Sequence, residues 1–346
     1  MASTWGSQGP QEADPVTVTT RLIELHSPDE WAEALSGIPH GPAHTWAYNR
    51  AIQRSSGNPT YLYVLEGAST RIACPFAERD FSTYTDAVTP YGFSGFTGIA
   101  GDCSLEPHWW SFASSRGWIC AYIALHPSLE DRSWFRAEAL PQKTLFTLDL
   151  TLPEADLVAR LSTNRKRQIR QRFGISRQPD TLTDFFVREY GDFMRRKRAA
   201  PVFRFSKETL EQLCRMPNTI LIGAVRAGTV RAVSLFAYTP YLADFLFHIS
   251  LAGEERYSAG LLWRAAMELK ALSVPRLNLG GGVREEDSLA EYKRRFGGDQ
   301  VTFRALKEVY CPEIYRALCA ESGVKDEAGR AYFPAYRAAS RAKAAS

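Results

Sequence analysis

The residues of this chain best placed to do chemistry lie in 276–298, RLNLGGGVREEDSLAEYKRRFGG. Lys293 follows Leu289 by one helical turn and sits beside Tyr292 and Phe296, so its stem is drawn toward apolar neighbours. A lysine held there can aim a fixed positive charge into a cleft and stabilise a developing oxyanion. The same spacing also fits a lysine that lies along its stem and leaves its ammonium in water. The elements that must position it are legible too. Leu277 and Leu279 alternate with polar residues, as in a half-buried strand. Gly280 to Gly282 allow a sharp turn. Ser288 with Glu291 three residues on fits a capping box, which starts the helix at 288, and Gly297 can close it.

A second concentration of functional types is electrostatic. The chain carries 42 basic and 38 acidic residues, a net charge of +4. Between Val158 and Lys207 there are fourteen Lys/Arg and four Asp/Glu, so +10 falls in this window and 4 − 10 = −6 in the remainder. Such a block points to a phosphate-bearing partner. Within it, Arg165, Lys166, Arg167, Arg170 and Arg172 could contact a nucleic-acid backbone, giving affinity without sequence readout. A solvated cationic helix face fits them as well, and Arg167 and Arg170 cannot share one face with Arg165 and Arg172. A further cluster, Arg195 to Arg198, precedes Phe203-Arg-Phe205.

Composition excludes several classes. At 346 residues and 45% hydrophobic content, the chain can bury a substantial core and form two ordinary domains. No run of about eighteen apolar residues exists, so no transmembrane helix is expected. Residues 1–17 are rich in Gly, Ser, Gln and Pro without an apolar stretch, as in a flexible leader of a cytoplasmic protein. Six cysteines and six histidines are scattered without ligand spacing, which gives no metal site and no disulfide framework. No Gly-x-Ser-x-Gly elbow marks a covalent nucleophile.

The pattern along the chain predicts two mixed α/β units. The first, 18–150, has helices near 28–35, 45–54 and 109–116 and strands at 61–65, 72–77, 119–125 and 143–150. The second, 151–327, opens with helices at 154–172 and 184–198. Strands at 219–226, 230–238 and 243–251 follow, then a helix at 258–272, a strand at 276–279, the Lys293 helix and a last strand at 300–306. A polar tail, loosely held, occupies 328–346.

The sequence Asp287-Ser-Leu-x-x-Tyr-Lys-Arg-x-Phe-Gly-Gly298, preceded by a strand ending in three glycines, resembles the C-terminal signature of the Fem aminoacyltransferases. These are relatives of the wider GNAT N-acetyltransferases. Trp46-Ala-Tyr-Asn-Arg-Ala-Ile-Gln, Thr89-Pro-Tyr-Gly-Phe-Ser-Gly95 and Phe193-Met-Arg-Arg-Lys-Arg-Ala199 resemble further Fem segments in the same order across about three hundred residues. Tyr91 stands where bridge-forming members often carry an arginine followed by Gly-Pro, and no heptad run provides their coiled-coil arm.

The resemblance implies an α/β fold of two tandem GNAT-like domains, each a mixed sheet flanked by helices, without the coiled-coil arm. It implies a tRNA-dependent aminoacyltransferase with no bound cofactor. An amine of a peptidoglycan precursor or a small peptide-like metabolite would attack aminoacyl-tRNA, and an amide or peptide bond would form. Lys293 and Tyr292 would be catalytic. Arg196 would line the acceptor cleft, Tyr91 and Phe93 would shape it, and Asp102 would orient the attacking amine. Arg256 matches the first position of the GNAT pyrophosphate pattern, but Ala259 and Leu261 replace its two later small residues, and the bulk of Leu261 would crowd coenzyme A. The alternative is an acyl-CoA-dependent N-acyltransferase acting on an amino sugar or amino acid.

Overall fold

The run Ile72-Ala-Cys-Pro-Phe-Ala77 is buried at every position, as a strand covered on both faces must be. In the computed structural model, which describes residues 18–101, 103–129, 134, 139–284, 286–324 and 332–338, it lies in β3 (Arg71–Phe81). Pro75 has no N–H to give, and it falls in the interval between the two strands that pair with one edge of β3, at 71–73 and 77–81.

The first half of the chain contributes β1 (Thr19–Glu24), α1 (Pro28–Leu35), α2 (Trp46–Ser56), β2 (Thr60–Glu66), β3, β4 (Tyr84–Val88), β5 (Thr97–Ile99), α3 (Leu105–Ser115), β6 (Trp118–Ala124) and β7 (Leu140–Asp149). The second contributes α4 (Glu154–Arg160), α5 (Thr163–Ile169), β8 (Gly174–Ser176), α6 (Pro179–Arg196), α7 (Lys207–Arg215), β9 (Thr219–Arg226), β10 (Thr229–Tyr238) and β11 (Ala243–Ser250). It ends with α8 (Ser258–Ala271), β12 (Arg276–Gly281), α9 (Ser288–Arg294), β13 (Asp299–Val309) and α10 (Pro312–Glu321).

The strands form one continuous mixed sheet in the order β1-β2-β3-β4-β6-β13-β7-β12-β11-β10-β9-β8. Its two ends mirror each other about the central β13–β7 pair. Each side has an antiparallel series followed by one parallel pair, β4 with β6 and β11 with β12. Each side is then completed by a strand from the other: β13 pairs with β6, and β7 pairs with β12. The chain crosses between the halves near Asp149, yet neither half is finished by its own residues. Side chains seal the join: α2 packs on α7, where the Thr209 hydroxyl donates to the Ala51 carbonyl at 2.8 Å. Tyr48, Ala51 and Ile52 share one core with Leu182, Phe186 and Leu213.

Three expectations change. The helix foreseen over 154–172 breaks at Leu161, and Ser162 caps a new helix by accepting from the Arg165 N–H at 3.4 Å. The basic run therefore leaves the helix at Arg170, and Arg172 lies beyond it. The Lys293 helix is capped by Asp287, not Ser288, since the Asp287 carboxylate accepts from Leu289 and Ala290 N–H groups at 3.0 and 2.8 Å. The tail is not loose throughout: Tyr336 is fully buried, and its hydroxyl and the Arg337 guanidinium both donate to Asp86, at 2.7 and 2.6 Å. The leader (1–17) and the rest of the tail past 338 lie outside the described residues.

Candidate active site between two parallel strands

Parallel strands β11 and β12 pair only at their starts, Ala243 with Leu277 and Asp244 with Asn278. Beyond this the ladder stops, although β11 stays paired with β10 to Ser250 and β12 with β7 to Gly281. Asn278 forms the crotch of the opening. Its amide donates to the Asp244 carboxylate at 2.9 Å, and its carbonyl oxygen accepts from the Gly280 N–H at 2.8 Å. The side chain thus takes over a backbone donor of β12, and the strand has no need of β11 as partner. Both residues are buried, Asn278 at 2% and Asp244 at 5% exposure. His126, wholly buried at the end of β6, directs Nε2 toward the same carboxylate at 3.6 Å, too long for a direct hydrogen bond.

Lys293 occupies the β12 side of the opening. It is 8% exposed, and its ammonium donates to the Gly281 carbonyl at 2.9 Å. The lysine is thus drawn inward, not snorkelling. Gly280, at φ +70°, makes room for it: a Cβ there would stand 3.0 Å from Nζ. Lys143 reaches the next carbonyl, Gly282, from β7 at 3.4 Å. Burial first, and then the neighbouring Lys143 charge, push the Lys293 pKa down to about 7 against the pull of Asp287. Lys293 is therefore not the permanently charged group that the sequence implies. Burial also pushes Asp287 up, but N–H groups of Val283, Arg284, Leu289 and Ala290 outweigh it and hold the carboxyl below its ordinary value.

Tyr292 turns toward the start of α8. Its hydroxyl is buried near Ser258 without a well-aligned hydrogen-bond partner, and burial raises its pKa. Arg165 is 5% exposed, stacks on the Tyr292 ring at 4.2 Å and on Phe296 at 4.9 Å, and donates to the Tyr292 carbonyl at 3.1 Å. It braces α9 and presents no charge to a nucleic acid. Lys166 ties itself to the Ala159 carbonyl at 3.0 Å. Arg167, Arg170 and Arg172 are exposed.

On the β11 side, Tyr91 lies in an aromatic cluster, stacked with Phe247 at 6.3 Å and edge-on to Phe205 at 5.1 Å. Burial, with Asp244 nearby, raises its pKa. Arg196 donates to the Ser250 carbonyl at 2.7 Å, which caps the end of β11. Phe93 packs behind the site, edge-on to His126 at 6.3 Å and to Phe303 of β13 at 5.1 Å. Arg256 is exposed and paired with Glu254 at 2.8 Å. Asp102 lies outside the described residues. Asp244, Asn278, His126 and Lys143 are the site residues that sequence reasoning missed. Asp244 and Asn278 sit singly in apolar strands, and an isolated polar residue in a strand was the one available signal. Among the described residues no cluster of His, Cys, Asp and Glu could hold a metal ion, and no helix is long and apolar enough to cross a membrane.

The start of α8 differs from an open phosphate cradle. Ala259 and Leu261 both point into the core, and the Phe173 ring lies so close over Gly260 that an added Cβ would stand 2.7 Å from it. Glu254 and Glu255 precede the helix.

No protein-family model and no curated protein matches the chain. Solved structures do. Over 86% of this chain and 99% of its own, FemX superposes with a TM-score of 0.64 at 8% identity. The chain has the fold of FemX. Its two half-sheets repeat one strand order in tandem. The C-terminal domain of a lysylphosphatidylglycerol synthetase from Agrobacterium fabrum covers 86% of this chain and 95% of its own, at 14% identity and a TM-score of 0.52. L-PGS from Bacillus licheniformis covers 83% and 93%, at 10% identity and the same TM-score.

Proposed function

We propose that this Fem-like chain is an aminoacyltransferase that moves an amino acid from aminoacyl-tRNA to an amine and forms an amide bond. The observation that carries the reading is the opening between β11 and β12, with a buried lysine on its edge and a polar crotch below. An extended acyl donor can lie against the unpaired strand edges, which offer backbone hydrogen-bonding groups along their length. Tyr91 and the aromatic cluster stand on the β11 side, where the acceptor would enter, and Arg196 at the end of β11 would hold an anionic part of it. Positioning of donor and acceptor would supply much of the acceleration.

The choice of donor rests on α8. Helix N-termini bind pyrophosphate through free N–H groups and close backbone approach. Here the Phe173 ring covers Gly260, so a coenzyme A pyrophosphate would meet bulk. The likeness to lysylphosphatidylglycerol synthetases, whose name denotes an aminoacylated product, agrees with an aminoacyl donor. The acceptor is an amine of a peptidoglycan precursor or of a small peptide-like metabolite. The purified protein is mixed with a pool of charged tRNAs and, separately, with a panel of acyl-CoA thioesters, and retained ligands are identified. Salt-sensitive retention of particular charged tRNAs supports the proposal; retention of an acyl-CoA without tRNA preference overturns it.

A further inference from the structure

The turn between β12 and α9 holds two lysines and leaves their charge almost uncompensated. Lys293 from α9 and Lys143 from β7 grip the successive carbonyls of Gly281 and Gly282, at 2.9 and 3.4 Å. The nearest carboxylate, Asp287, is already committed: its two oxygens accept from four backbone N–H groups of the turn and helix start. Arg284 and Glu286 of the turn are exposed, and Glu291, Arg294 and Arg295 on the outer side of α9 are paired among themselves. Arg165 approaches from α5, on the Tyr292 side. The Gly280-Gly281 end of β12 carries no titratable side chain. Among the described residues, two ammonium groups therefore share a poorly hydrated turn with no free anion, and one of them is favoured to lose its proton. Burial lowers the Lys143 pKa too, against the pull of Asp287, but Lys293 is the more deeply buried of the two, and only it contacts the glycine whose missing side chain makes its place.

Building on the acyl-transfer reading above, we propose that the two lysines divide the work: Lys143 stays cationic and faces the oxyanion, and Lys293 enters neutral as the proton carrier. The acceptor's amine lone pair attacks the ester carbonyl, and a C–N bond forms as the carbonyl π electrons move to oxygen. Lys293 Nζ takes the proton that the new ammonium must lose. The tetrahedral adduct collapses, the C–O bond to the ribose breaks with its electrons, and Lys293 returns the proton to the departing ribose oxygen. The cycle ends with the same neutral amine, and no further reactant is consumed. Lys143 is a positioning and tuning residue for Lys293 as well as a partner for the oxyanion. Burial first, and then its like charge, keep Lys293 in the form that can accept.

The test reads the titration of Lys293 directly in the full chain, which has only nine lysines. Protein labelled at lysine side chains is titrated by NMR, with Lys293→Arg identifying the signal, and Lys143→Met and Lys143→Arg are compared with the parent. Lys293 should titrate near neutrality in the parent, move upward by about one unit or more in Lys143→Met, and return toward the parent value in Lys143→Arg. The acid limb of the kcat profile should move with it. An unchanged Lys293 titration in folded Lys143→Met overturns the pairing, even where acyl transfer is observed. Absence of transfer from any donor, with the Lys293 shift intact, would instead remove the aminoacyltransferase reading and leave the coupling standing.

Discussion

The two halves of the sheet use the same strand order and treat their parallel pair in opposite ways. In the first half, β4 and β6 pair from Thr85–Trp118 to Val88–Tyr122, and the zipper continues past the strand end. The Thr89 hydroxyl accepts from the Ala124 N–H at 2.9 Å, and Ser94 bridges to Leu125. In the second half the zipper stops after two residue pairs. The difference is local chemistry. Thr89 extends the closed pair, and Asn278 wedges the open one by satisfying Gly280 from within its own strand. The helix that carries Lys293 has as its counterpart in the first half the connection 125–139, part of which lies outside the described residues. One unit is closed by its parallel pair, and the other is open.

The largest effect should come from the lysine on the open side. Lys293→Met should lower turnover about a hundredfold or more while the protein stays folded, as judged by steady-state kinetics and circular dichroism. It should also stabilise the protein at neutral pH. Lys293 falls from the ordinary lysine value of 10.5 to about 7 on folding. Between these values the unfolded chain holds a proton that the folded chain has shed, so stability rises with pH across the window. The cost of the buried ammonium is complete below about pH 7 and gone above about 10.5. Urea titration should therefore show Lys293→Met more stable than the parent by a few kcal/mol at pH 7, with the gain vanishing toward pH 10.5.

Removing the wedge comes next. Asn278→Leu strands the Gly280 N–H and the Asp244 carboxylate, and should cost about 1–3 kcal/mol of stability with at least a tenfold fall in turnover. In the closed half the matching substitution, Thr89→Val, should cost about 1 kcal/mol and leave turnover within about twofold. Equal losses of turnover in the two variants would erase the distinction between the closed pair and the open one. The smallest effect concerns the exposed arginines. Replacing Arg167, Arg170 and Arg172 with glutamine should weaken tRNA retention severalfold and flatten its salt dependence without changing thermal stability. Arg165→Gln should instead lower stability, because this arginine braces Tyr292 and Phe296.

Much of this was legible in the sequence, and the reasons for the rest are physical. The strand, glycine turn and helix around Lys293 follow from periodicity and from glycine, and they stand where these signals place them. The cap moved by one residue because Asp287 and Ser288 are both good caps, and only the turn geometry lets Asp287 reach four N–H groups. Lys143 was invisible because its role depends on β7 lying beside β12, a pairing across more than a hundred residues of chain. Arg165 looked like its exposed neighbours because its burial is decided by rings on α9, far along the chain. The inward turn of Tyr336 was equally distant from its cause, the buried Asp86. Local chemistry is written locally; charge balance is not.

The exchange of β13 and β7 has a consequence for how this protein comes into being. The strand that completes the first half, β13 at Asp299–Val309, is synthesised long after β6 at Trp118–Ala124. Until then β6 presents an unpaired edge, of the kind that recruits foreign strands. The first half must wait, and both halves should close in one late cooperative step. Slow, non-local closure of this sort favours assistance by chaperones during synthesis.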